Sequence, residues 1–149
     1  MSGGDRRVGV AMDFSKYSKR ALRWAADNVL RDRDHLILLN VRPHSYEGGE
    51  MQLWETTGSR CSSLKARVNR KQKSPRNWDA NITVLMKIFW GDAREKICQA
   101  IRDIPLSCIV MGSRGLGKIE RVFLGSVSDY VVDTATCPVI VVKNVDEER

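Results

Sequence analysis

A chain of 149 residues, 42% apolar and 29% charged, is sized for a single domain over 1–149 that buries about two thirds of its unfolded surface. No apolar run reaches membrane-spanning length. The four cysteines show neither CxxC nor metal spacing, and the net charge of +7 is local: residues 56–78 hold seven basic residues and no acid, leaving 18 of each sign elsewhere. These features set aside a membrane protein, a zinc module and a disulfide framework. They favour buried free thiols in a reducing compartment, cytoplasmic and in part nuclear. A nucleic-acid partner is not expected from overall charge, because only one segment is basic.

In chain order, MSGGDRR lacks an apolar leader region, so no secretory signal is expected. Residues 6–13, RRVGVAMD, read as a short strand with Asp13 at its carboxyl end. Ser15 is a candidate N-cap for a helix over 16–30, where Tyr17, Ala21, Trp24, Ala25 and Val29 form a stripe of period 3.6. His35–Val41 is a second buried strand, ended by Pro43. Residues 43–60 read as loop. In the basic stretch 56–78, Leu64 and Val68 support at most two helical turns before Ser74-Pro75 stops them. This is a stunted second helix within a mobile insert.

Residues 81–90, NITVLMKIFW, are strand-like, and Gly91 turns the chain. Asp92 and Glu95 suggest a capping box for a helix over 93–104. Cys108-Ile109-Val110-Met111 is the fourth strand, followed by a glycine loop with Gly112, Gly115 and Gly117. Ile119, Val122, Phe123, Val127, Tyr130 and Val131 then recur at helical spacing to near Ala135. Pro138 opens a last strand, VIVVK, and residues 144–149 read as a frayed tail.

Apolar strands alternating with amphipathic helices predict an α/β fold: a doubly wound, five-stranded parallel sheet in order 3-2-1-4-5, with helices on both faces. Ligands in such sheets bind beyond the strand carboxyl ends, at the switch point. Asp13 and Gly112 both emerge there. The last strand forms a sheet edge, Val139–Lys143, which invites pairing with a second copy.

Strand, glycine loop and helix in that order present backbone N–H groups to phosphate. Gly125-Ser126, inside the helical pattern, suggests close approach to the backbone. Gly112-x4-Gly117-Lys118 also begins a P-loop sequence, but Ile119 stands where a metal-binding hydroxyl is needed. His35 and His44 have no partner at ligand or triad spacing, so nothing argues for bond-making chemistry or a metal.

The spacing Gly112-x2-Gly115-x9-Gly125-Ser126 resembles the nucleotide-binding signature of the ATP-binding branch of the universal stress protein family, and Trp90-Gly91-Asp92-Ala93-Arg94-Glu95 resembles a block of its plant members. The resemblance implies a Rossmann-like fold of the adenine nucleotide alpha hydrolase type. It implies a non-enzymatic, dimeric stress-response regulator that binds ATP or AMP, with Mg²⁺ accompanying ATP. Asp13 would hold the base or ribose, and Val41 would read the adenine edge through its backbone. Gly112, Gly115, Gly125 and Ser126 would cradle the phosphates with Arg114 as a charge clamp, and Met111 and Val127 would line the same nucleotide site. Residues 56–78 depart from the family, whose members carry a full helix there. Two alternatives stay open: a dimeric adaptor that has lost its ligand, and a weak nucleic-acid binder acting through residues 60–76.

Overall fold

The computed structural model describes residues 6–42, 62–68, 80–113 and 126–143, with 62–68 and 80 as backbone alone. Arg7–Ala11 forms β1, Lys16–Asn28 forms α1 and His35–Arg42 forms β2. Ser62–Val68 forms β3 and Ala80–Trp90 forms β4. Ala93–Asp103 forms α2, Cys108–Gly112 forms β5, Ser126–Thr134 forms α3 and Val139–Val142 forms β6. The sheet order is β3-β4-β2-β1-β5-β6. Its five parallel strands run in the expected order 3-2-1-4-5 when counted without β3.

The sequence reading needs correction at β3. The stretch read as a stunted helix is an antiparallel strand, with Leu64 opposite Val84 and Val68 opposite Ala80. Leu64 and Val68 are four apart, which fits a helical face. With Ala66 between them they also fit period 2, and seven paired positions along the edge of β4 decide for the strand. The flanks of β3 and the tail 144–149 lie outside the described residues.

Strand alternation divides the core into two layers. Val8, Val10, Leu36, Leu38 and Val110 meet Ala21 and Ala25 of α1 on one face. Ile37, Leu39, Ile109 and Met111 meet Ile97, Ala100 and Ile101 of α2 and Val131 of α3 on the other. The predicted caps are present: the Ser15 side chain accepts from the Ser18 N–H, and the Asp92 carboxylate accepts from the Arg94 N–H.

The turn from α1 into β2 is tied to β1 by a buried carboxylate. Asp34 is 5% exposed. It accepts from Arg6 Nε at 3.1 Å, from Arg6 Nη2 at 2.5 Å and from the Arg31 N–H at 2.8 Å. Arg6 Nη2 also donates to the Val29 carbonyl. Hydrogen bonding to Asp34 raises the Arg6 pKa above its ordinary value. The start of β1 and the α1–β2 turn meet on one carboxylate, so Asp34→Ala, which strands the Arg6 charge, is expected to lower unfolding free energy by about 2–3 kcal/mol. Urea denaturation followed by circular dichroism measures this; a loss below 0.5 kcal/mol, roughly that of an ordinary surface site, would contradict it.

Burial raises the pKa of the free thiols Cys98, Cys108 and Cys137. A thiol raised on folding stabilises the native state below its unfolded pKa, and that contribution is lost as pH climbs through the folded value. The melting temperature of a Cys61→Ser variant is therefore expected to hold up to about pH 8.5 and to fall above it. Alkylation of the three thiols at pH 8 should be at least tenfold slower in native than in unfolded protein; equal rates would show the thiols to be open.

Candidate functional site

The carboxyl ends of β1, β2 and β5 and the amino ends of α1, α2 and α3 surround a cleft of about 170 Å³. Each wall follows from a local rule. β1 ends at Ala11, and the Met12 N–H still bonds the Leu39 carbonyl at 2.8 Å. The buried Asn40 amide donates to the Met12 carbonyl at 2.7 Å and accepts from Arg42 Nε at 3.3 Å. The chain then swings into α1 through Phe14, which has a φ of 63°, uncommon for a bulky side chain. Asp13 Oδ1 accepts from the Ser15 N–H at 2.9 Å across this turn. Ser18 Oγ, one turn into the helix, donates to the Ser15 carbonyl at 3.1 Å.

The opposite wall is β5 and α3. A β-carbon on Gly112 would stand 2.7 Å from the Tyr17 carbonyl oxygen. The glycine read as part of a phosphate cradle is thus also required by the packing of α1 on β5. Ser128 Oγ donates to the Gly112 carbonyl at 3.2 Å and fastens α3 to the strand end. Arg94, next to the lining residue Ala93, is exposed and is not itself part of the lining. Its guanidinium bonds the exposed Asp92 carboxylate at 3.1 Å and lies 5.9 Å from the Tyr130 ring. The Asp92 pKa is lowered, first by the Arg94 side chain and then by backbone N–H groups of the helix start.

Six residues singled out from the sequence line this one cleft: Asp13, Val41, Met111, Gly112, Ser126 and Val127. Arg114, Gly115 and Gly125 lie outside the described residues. The sequence reading missed Ala11, Met12, Ser15, Tyr17, Ser18, Leu39, Ala93, Ile97 and Ser128 as walls. Ala93 and Ile97 had a usable signal, since they occupy the first turns of the helix that follows the β4 end.

Among the described lining residues Asp13 is the only charged one; eight are apolar, and Ser15, Ser18, Ser126, Ser128 and Tyr17 bring hydroxyls. Apolar walls accept a planar heterocycle, a carboxylate and hydroxyls at the rim accept sugar hydroxyls or an exocyclic amine, and converging helix amino ends favour an anion. Among the described residues no group of three His, Cys, Asp or Glu could hold a metal ion. His35 sits at the amino end of β2, the far end from the cleft.

Comparison with known proteins identifies the family and the fold. The chain is 33% identical over 171 residues to Universal stress protein PHOS32 of Arabidopsis thaliana, covering 98% of this chain and 68% of that one. A universal stress protein family protein from Arabidopsis thaliana, solved with AMP bound, superposes with a TM-score of 0.57 at 22% identity, covering 97% of this chain and 96% of that one. A universal stress protein in complex with cAMP gives 0.54 at 16% identity, covering 92% and 96%. The model of the Universal stress protein family matches residues 5–143, so the chain belongs to the universal stress protein family.

Proposed function

We propose that this chain binds an adenine nucleotide, ATP or AMP, in the cleft between β1 and β5, and acts as a non-catalytic regulator of a cellular stress response in the cytoplasm. One observation carries the reading. The Asp13 carboxylate, the one charged group among the described lining residues, and the helix amino ends surround one apolar-walled cleft at the switch point of a parallel sheet. Asp13 accepts from ribose hydroxyls or the base amine. Val41 and Met111 flank the base, and Gly112, Ser126 and Val127 carry the phosphate end. Arg114, Gly115 and Gly125 join them on the strength of the sequence spacing. The relatives solved with AMP and cAMP support an adenine ligand. Mg²⁺ would come with ATP, held by the phosphates.

Isothermal titration with AMP and with ATP, each carried to millimolar concentration with and without Mg²⁺, tests the reading. Saturable heat is expected. Asp13→Ala should weaken binding tenfold or more, the loss of one hydrogen bond to a charged group, about 1.5–3 kcal/mol. Gly125→Val should abolish binding by filling the space the phosphates need. No heat from either nucleotide removes the proposal and leaves the adaptor reading.

We also propose a homodimer through Val139–Lys143. β6 is the last strand of the sheet, and its apolar residues are half-buried. Val141→Lys should convert the dimer to monomer by light scattering; a wild-type chain that stays monomeric at 100-fold dilution and at high concentration alike sinks the assignment.

A further inference from the structure

Tyr17 is the one aromatic residue among the described residues that line the cleft. Its backbone packs α1 against the end of β5. A β-carbon on Gly112 would stand 2.7 Å from the Tyr17 carbonyl oxygen and 3.3 Å from the Tyr17 Cβ. The root of the side chain therefore lies beside Gly112. β1 runs between β5 and β2 in the sheet, which sets the ends of those two strands about 10 Å apart. Tyr17 thus starts on the Gly112 side of the cleft, away from Val41.

Side chains in a helix tilt toward its amino end, and α1 begins at the cleft. The ring of this first-turn residue accordingly leans back over the strand ends. It is half-buried, and the Lys16 ammonium lies 5.1 Å from its centroid, a cation–π contact that steadies it. Among the described residues no hydrogen bond engages the phenol, and the one buried side-chain polar atom without a partner is His35 Nδ1. The Tyr17 hydroxyl is therefore open to water and to a ligand.

The charge of the cleft indicates what that hydroxyl meets. Asp13, the one charged group among the described lining residues, is an anion. It suits the donors of a sugar or a base and repels a phosphate. A phosphate needs donors set away from Asp13, and the Gly112 side supplies them. An O–H donated to a charged oxygen makes a short, strong hydrogen bond, and the phenol is a more acidic donor than a serine hydroxyl. Stacking on the base would instead need the ring on the Val41 side.

From this we infer that the Tyr17 hydroxyl donates to the phosphate of the bound nucleotide, and that this bond makes the cleft prefer a nucleoside phosphate to the bare nucleoside. The inference rests on the nucleotide reading above. It adds a phosphate ligand from α1 to those assigned on β5 and α3.

The test is isothermal titration of the full chain with AMP, and with adenosine read by its displacement of AMP. Tyr17→Phe keeps the ring and its packing on Gly112 and removes one oxygen; a melting curve matching the wild type confirms the fold. AMP affinity should fall about tenfold or more, the size of one hydrogen bond to a charged group. Adenosine affinity should stay within twofold, so the preference for AMP shrinks by the same factor. Tyr17→Leu, which also removes the ring, should weaken AMP no further. The ³¹P resonance of bound AMP should move in Tyr17→Phe.

AMP affinity within twofold of the wild type in Tyr17→Phe overturns the inference and leaves the nucleotide reading standing. Equal weakening of AMP and adenosine overturns it too, by placing Tyr17 on the nucleoside. Where adenosine displaces AMP from neither protein, the ³¹P resonance decides, and an unmoved signal overturns it. No heat from AMP or ATP with the wild-type chain removes the inference together with the nucleotide reading.

Discussion

Gly112 ends β5 with its α-carbon against the first turn of α1, where any β-carbon would stand 2.7 Å from a backbone oxygen that cannot move aside. That approach fixes how deeply the helix start sits beside the strand ends. Ser128 takes the carbonyl of the same residue, so α3 is referenced to the same point. From the other side, the Asn40 amide holds the Met12 carbonyl and sets where β1 releases the chain. The cleft is the volume left between these fixed points. A larger residue at 112 would displace α1 and with it Asp13, Ser15, Tyr17 and Ser18, which are four of the lining residues. Backbone clearance, more than any single side chain, determines the shape of the site.

The parallel core was legible because its strands are apolar on both faces and its helices on one. β2 reads as Leu-Ile-Leu-Leu in the sequence and divides into Leu36 and Leu38 against α1, and Ile37 and Leu39 against α2. Once the topology followed, so did the location of the site, since Asp13 and Gly112 had to emerge together. β3 was not legible for a specific reason. Leu64, Ala66 and Val68 satisfy a strand face, while Leu64 and Val68 alone satisfy a helix face. Only the open edge of β4, a tertiary fact, separates the two. The cleft walls from α2 were obscured in the same way: Ala93 and Ile97 are ordinary core residues of an amphipathic helix until the helix is docked.

α1 shows how one helix can serve the core and the cleft at once. Ala21 and Ala25 are fully buried against the sheet, and their small size lets the helix lie close to β1 and β5. Its first turn supplies hydroxyls to the cleft, and its outer face carries four cations. The helical period separates these faces, and Lys16 over the Tyr17 ring links the outer one to the cleft wall. The Asp34 network holds the far end of the same helix by bonding Arg6 and the Arg31 N–H, with Arg6 reaching on to the Val29 carbonyl. α1 is thereby pinned at both ends, by a buried ion pair at one and a glycine contact at the other.

Two roles for Asp13, shaping the helix start and the proposed recognition of a ligand, are compatible in this geometry. Its carboxylate has about four acceptor positions. The Ser15 N–H takes one, at 2.9 Å, and that bond bends the chain through the left-handed Phe14 into the helix. The same bond orients the carboxylate on the cleft wall. Asparagine could make the turn, but it would bring no negative charge to a donor inside the cleft. A donor there meets an acceptor already oriented by the fold, so little ordering entropy remains to be lost on binding. On the nucleotide reading proposed above, the strain at Phe14 and the capping of α1 would therefore contribute to recognition, although neither Phe14 nor the Ser15 N–H need touch a ligand.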